Sequence, residues 1–303
     1  MAEMLPSVKY KIKPQGGNNN HMIRIFVDSV SDMPDEYLEK YNITMIPLTV
    51  NLNGLSHEDR SGLTLDEFFD EIRKTDTFPT TSAPAPYTFI QSFQPAVDAG
   101  DSVICFTMSS ASSSTYQSAC MAKAEFPDAK IDVIDTKCAG MGQGINAITA
   151  ARMALAGKDH DEIVAASQKR VPQLKTLVLL ETMEFLRRGG RISAAKAMMA
   201  SMLSIKPVIE YMASTDGNIE LVHRSRGFEK SMKWMVEQVQ SLKKDFSDSL
   251  LVIEYSTDPK PAYTIKAMLE KVYKLSEVIV TPIGKVVGAH VGPQAMGIFF
   301  EMD

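Results

Sequence analysis

The chain has no uninterrupted apolar run of about 18 residues, the length a bilayer-spanning helix requires, so no integral membrane association is expected. Cysteine is scarce: Cys105, Cys120 and Cys138 are the only three in 303 residues. An odd number at wide spacing argues against a disulfide framework or a zinc cluster and fits free, buried thiols in a reducing cytoplasm. The five histidines (His21, His57, His160, His223 and His290) are scattered, so no metal site is expected. There is no Walker A sequence and no Gly-x-Ser-x-Gly elbow, and the glycines of Gly140-Met141-Gly142-Gln143-Gly144 lack the dinucleotide-binding spacing. Positive charge is also in deficit. Lys and Arg total 32 against 37 Asp and Glu, a net charge of −5, which gives no electrostatic basis for binding nucleic acid.

What is present is ordinary globular composition, 45% hydrophobic and 23% charged, with room for one large domain or two of about 150 residues. Residues 1–21 end in a polar low-complexity stretch (Pro14 to His21) and are read as a tag or disordered lead. From Met22 onward, strand and helix patterns alternate. Strands are expected at 23–27, 43–50, 103–107 and 131–134, with helices at 34–41, 63–73 (Thr64 as N-cap), 86–97, 116–125 and from Gly144 to Leu155. This rhythm predicts βαβ units and a parallel sheet over residues 22–160.

Past Gly157 the rhythm changes. Helices are expected at 161–171, 194–203, 228–243 and 259–274. Strands are expected at 176–181, 206–212, 218–223, 250–255, 277–281, 285–290 and 297–300, with a turn at Thr215-Asp216-Gly217. Hairpins mixed with helices predict a second α/β domain with a mixed sheet over residues 161–303. The fold class is therefore α/β.

In an open parallel sheet, ligands bind beyond the carboxyl ends of the strands. Three such ends carry polar chemistry: Asp28-Ser29 through Asp32, Ser109 through Thr115, and Asp135-Thr136. Six of the seven residues from Ser109 to Thr115 bear hydroxyls, which suits a loop leading into a helix. Thr80-Thr81-Ser82 before Ala83-Pro84 reads as a second hydroxyl-rich helix start. Helix N-termini offer unpaired N–H groups to an anion, though both runs also suit plain N-caps. Gly189-Gly190 allows close backbone approach, Arg191 supplies a fork of donors, and Ser193 caps the next helix. Arg224 and Arg226 alternate on an expected strand and so share a face. Methionine is dense at Met198, Met199 and Met202, with Met232 and Met235 further on, either as core filler or as the wall of an adaptable apolar cavity.

These motifs together resemble the DegV family of bacterial fatty-acid-binding proteins, from Met22 to the end. They are, in order, Asp28-Ser29, Ile46-Pro47-Leu48, Thr80 through Pro84, Ser109-Ser110 through Ala119, Asp135-Thr136, Gly189 through Ser193, Ile205-Lys206-Pro207 and His290 through Pro293. The resemblance implies a two-domain protein, with a parallel-sheet, Rossmann-like N-terminal domain, that holds one long-chain fatty acid between its domains. It implies no enzyme activity and no cofactor beyond that ligand. The partner would be a fatty acid kinase that phosphorylates the bound carboxylate for phospholipid synthesis. Carried over, Thr81 and Ser113 bind the carboxylate, Arg191 and His290 complete its polar network, and Arg224 and Arg226 meet the kinase. Met198, Met199 and Met202 would line the acyl tunnel. The chain departs from the family at Ser114, where glycine is usual, at Ser112, where an apolar residue is usual, and at Ala83, where glutamine is common. Which of Ser112, Ser113 and Ser114 meets the carboxylate stays open. The reading from a different class is a serine-dependent acyl-ester hydrolase or transferase using Ser113, His290 and Asp28.

Overall fold

The computed structural model describes residues 21–191 and 205–303. Met198, Met199 and Met202, Ser193, the helix expected at 194–203 and all but the last residue of the expected lead lie outside them.

Four parallel strands form the first sheet: β1 (Ile23–Asp28), β2 (Ile43–Ile46), β6 (Ser102–Thr107) and β7 (Ile131–Asp135), in the order β2-β1-β6-β7. One face carries α3 (Pro86–Asp98) and α4 (Thr115–Ala124), packed through Phe89, Phe93, Ala119 and Ala122 onto Phe26 and Cys105. Helix α1 (Asp35–Tyr41) links β1 to β2. The chain order reverses around β1, which has β2 on one side and β6 on the other, so the β1/β6 ends form the switch point where such sheets place ligands.

A small antiparallel sheet, β4-β3-β5, stands beside it, built from β3 (Thr49–Leu52), β4 (Leu55–Glu58) and β5 (Thr80–Ser82). Two expectations are corrected here. The strand expected over 43–50 is two strands in different sheets, broken at Pro47, whose ring cannot donate to a ladder. Thr80-Thr81-Ser82 is not a helix start but β5, paired with β3 through Val50 and Thr81; the helix begins only at Pro86. Helix α2 (Leu65–Thr75) has Thr64 as its N-cap, as the sequence predicts, and the structure adds a full capping box to Glu67.

The third sheet is mixed, in the order β10-β9-β8-β13-β11-β12. Its strands are β8 (Leu174–Leu179), β9 (Ile205–Met212), β10 (Asn218–Arg226), β11 (Leu250–Tyr255), β12 (Glu277–Pro282) and β13 (Met296–Glu301), and only β11 and β12 run parallel. Its outer face is covered by α8 (Phe228–Leu242) and α9 (Lys260–Glu270), where Met232 and Met235 serve as core filler. The run expected as a strand over 285–290 is instead α10 (Lys285–Val291). Its valines read as β-formers, but Gly288 lets the segment pack as a helix against Leu65 and Phe69 of α2. The short α7 (Glu184–Arg188) was not expected.

The centre is α5 (Met141–Leu155), clamped between the parallel and mixed sheets in one continuous apolar cluster. A helix buried on both sides must be small or apolar all round, and ten of its residues, Met141–Ile148 with Ala150 and Ala151, are buried. A Cβ at Gly142 would fall 2.9 Å from the Thr176 methyl of the mixed sheet, and one at Gly144 would lie 3.4 Å from the Ser31 carbonyl. Gly142 and Gly144 thus serve the close packing of α5 against its neighbours. Helix α6 (His160–Arg170) packs on α5, and His160 bonds Ser102 and Asp132 at the opposite, N-terminal end of the parallel sheet.

Candidate functional site: an enclosed cavity with a polar end

A cavity of about 310 Å³ opens where the β1/β6 switch point, the small sheet, α10 and the inner face of the mixed sheet meet. Apolar side chains form most of its wall, with Val178, Ile209 and Ile219 from the mixed sheet facing Leu48 and Val286. That size falls in the range of sites that enclose small molecules.

The hydroxyl runs converge on it from two elements. Thr81, central in β5, points towards α10, and its Oγ1 lies 3.0 Å from His290 Nε2. Burial and the Arg191 cation push the His290 imidazole down to about 4, so it is neutral at physiological pH. Its Nδ1 has no partner among the described residues. A lone pair is less costly to leave buried than an N–H, which favours the proton on Nε2. In that tautomer Nε2 donates to Thr81, and the threonine's own hydrogen is free for an anion.

Ser112, Ser113 and Ser114 line the same cavity just before α4. The Ser113 hydroxyl also staples its own turn: it accepts the Thr115 N–H at 3.3 Å and sits 2.8 Å from Thr115 Oγ1. When Thr115 is the donor of that pair, the Ser113 hydrogen is free to meet a ligand oxygen. Arg191 joins the two halves, since its Nε donates to the Ser112 carbonyl at 3.1 Å and its Nη1 to Gly189 at 2.6 Å. Five expected site residues, Thr81, Ser113, Ser114, Arg191 and His290, therefore line one cavity.

Gly189 makes this possible. Its φ of −71° is ordinary, but a Cβ there would lie 2.2 Å from His290 Nδ1. Gly189→Ala is expected to cost about 1–3 kcal/mol by overpacking, read by urea denaturation. Glycine's backbone freedom is not needed at that φ, so the loss reports the α7–α10 contact.

The other polar strand ends hold the loops around the cavity. The Asp28 carboxylate accepts the N–H groups of Val30 at 3.0 Å and Met108 at 2.8 Å, tying β1 to β6. Asp135 accepts the Lys137 N–H at 3.0 Å, and Thr136 donates to Thr107. Ser113, His290 and Asp28 form no hydrogen-bonded relay: His290 pairs with Thr81 and Asp28 with backbone. Arg224 and Arg226 are exposed on β10, the edge strand, outside the cavity wall.

Among the wall residues that sequence reasoning does not single out are two with polar side chains, Tyr211 and Glu254. The signal for Glu254 was there to read: it is in phase with Leu250 and Val252 on the inner face of β11. Cys105 and Cys138 are buried free thiols, as expected, whereas Cys120 is half-buried. Burial pushes the Cys138 thiol up to about 12, so it is inert. Among the described residues no helix is long and apolar enough to cross a membrane, and no three His, Cys, Asp or Glu side chains are grouped to hold a metal.

Fold and cavity together define a three-sheet α/β protein with a mostly apolar cavity whose polar end is rich in hydroxyls and carries Arg191. The chain belongs to the DegV family, whose model, described as an uncharacterised protein family, matches residues 22–303. A DegV domain-containing protein of Caldanaerobacter subterraneus subsp. tengcongensis is 30% identical over 279 residues, covering 92% of this chain and 98% of the relative. Among solved structures, a DegV family protein from Thermus thermophilus, described for its fatty acid binding, matches with TM-score 0.87 and 28% identity, over 93% of this chain and all of that one. A stearic acid-binding protein from Eubacterium ventriosum matches with TM-score 0.83 and 26% identity, over 93% of this chain and 98% of the other.

Proposed function

We propose that the protein binds one long-chain fatty acid in this cavity and presents its carboxylate, from the cytoplasm, to a fatty acid kinase that forms the acyl-phosphate. The observation that carries the reading is the cavity itself, apolar over most of its wall and hydroxyl-lined where β5, the serine loop, Arg191 and α10 meet. Fatty acid binding by the solved neighbours supports it.

The energetics suit a carrier. At about 0.8 kcal/mol per methylene, a chain of about 14 methylenes gains roughly 11 kcal/mol before ordering costs. The tail supplies affinity and the head group orientation. Neutral donors such as Thr81 and Ser113 hold a carboxylate without quenching it, so an oxygen stays nucleophilic towards a γ-phosphate. Met198, Met199 and Met202 belong to this reading as tunnel wall, and Arg224 and Arg226, exposed on an edge strand, as the kinase-facing surface. The reading takes residues 22–160 and 161–303 as the two domains.

Native mass spectrometry of protein from a bacterial host tests it, and a co-purifying fatty acid is the expected result. A delipidated sample that takes up neither palmitate nor oleate would defeat the reading. Thr81→Val and Ser113→Ala each remove one head-group contact, so retention should fall about ten-fold or less. Phosphorylation by the kinase should fall further. Equal losses in both would show that the head group, not the tail, sets affinity.

A further inference from the structure

Glu254 is an acid in an apolar wall. On β11, Leu251 and Ile253 pack beneath α8 and α9, while Leu250 and Val252 face α5. Glu254 continues the inner face, is 2% exposed, and borders the cavity with Gly140, Gly297 and Phe299. Its Oε1 accepts the Met141 N–H at 2.6 Å, capping the first residue of α5 from the mixed sheet. Its Oε2 has no hydrogen-bond partner among the described residues. Gly140, at φ +66°, makes room for that oxygen, since a Cβ there would lie 2.7 Å from Oε2 and 3.0 Å from the Phe299 ring. Helix capping thus accounts for one oxygen and leaves the other beside the ligand space.

We propose that Glu254 forms a polar subsite within the acyl cavity and favours a long-chain fatty acid that carries a hydroxyl or oxo group along its chain. The proposal rests on the fatty acid reading above and deepens it. Burial pushes the Glu254 carboxyl up to about 8, so at neutral pH it is an O–H donor in need of an acceptor. A plain hydrocarbon chain strands that donor, whereas an oxygen on the chain pairs it. The complementary group is neutral. A second carboxylate would have to be buried beside Glu254 and Asp32, whose own charged forms burial and their mutual repulsion already disfavour. A trapped water would satisfy the same donor, and the test separates the two.

Delipidated full-length protein is equilibrated with equimolar stearate and hydroxystearates bearing the hydroxyl at successive positions. Bound lipid is then extracted and quantified by mass spectrometry. At least one positional isomer is expected to be retained about five-fold over stearate. That ratio should fall to about one in Glu254→Leu and survive in Glu254→Gln, which keeps an N–H donor and a carbonyl for Met141. Stearate binding with no isomer preferred overturns the subsite and leaves the fatty acid reading standing. A preference that persists in Glu254→Leu also overturns it. Failure of stearate and every isomer to bind removes the reading beneath both. The wild-type competition decides the matter even where Glu254→Leu does not fold.

Discussion

Val178→Trp is expected to empty the protein of fatty acid, lowering bound lipid at least ten-fold, while its neighbour Leu177→Ala is expected to destabilise the fold and keep the lipid. Both residues lie on β8, and strand alternation sends them to opposite faces. Val178 lines the cavity, whereas Leu177 is fully buried in the cluster beneath α8 and α9. A bulky ring at Val178 occupies ligand space, so its cost to the empty protein stays within the 1–3 kcal/mol typical of overpacking, roughly estimated. Truncating Leu177 leaves a void in close-packed surroundings and costs about 2–5 kcal/mol. Lipid extraction with mass spectrometry reads the first quantity and urea denaturation the second. Equal lipid loss in both variants would mean that global loosening, not the cavity, controls binding.

The second large effect is on pH. Burial pushes the Asp28 carboxyl up to about 7 and Glu254 up to about 8, and it raises Asp32 and Asp59 as well. The folded protein therefore holds protons that the unfolded chain has released above about pH 4. Its stability must fall as pH rises towards 8. His290 acts in the opposite sense, because its folded value of about 4 lies below the unfolded one. Its contribution is confined to the window from about pH 4 to 6.5 and is silent above it. Between pH 6.5 and 8 the carboxyls act alone, and the expected loss is about 2–3 kcal/mol. Thermal melts of delipidated protein should show Tm lower by roughly 5 °C at pH 8 than at pH 6.5. Glu254→Gln should flatten that slope, and a flat profile in the unsubstituted protein would refute the buried-proton account.

Much of this was legible in the sequence where local signals and tertiary demands agree. The N-cap at Thr64, the alternation along the first sheet, and the hydroxyl runs and Arg191 that meet at one cavity belong here, whereas His290 was picked out only by the resemblance to the DegV family. Two of the failures share one cause. Thr80–Ser82 and Lys285–Val291 are short, and each borrows its conformation from neighbours: β5 from its pairing with β3, α10 from a glycine contact with α2. Hydroxyls before a proline read as a helix start, and a valine pair reads as a strand, until those neighbours are in place. Glu254 escaped notice because one acid ending an apolar run looks like the wet end of a strand. Only the packing of α5 onto the mixed sheet makes it an interior group.

The position of α5 also bears on how the interior can open. With a sheet packed on each flank, prising the two sheets apart like a clamshell would strip apolar surface from a whole face of the helix and from the sheet against it. Spreading the sheets is therefore the costly way to open the interior, and the central helix acts as a keel that holds the two sheets together.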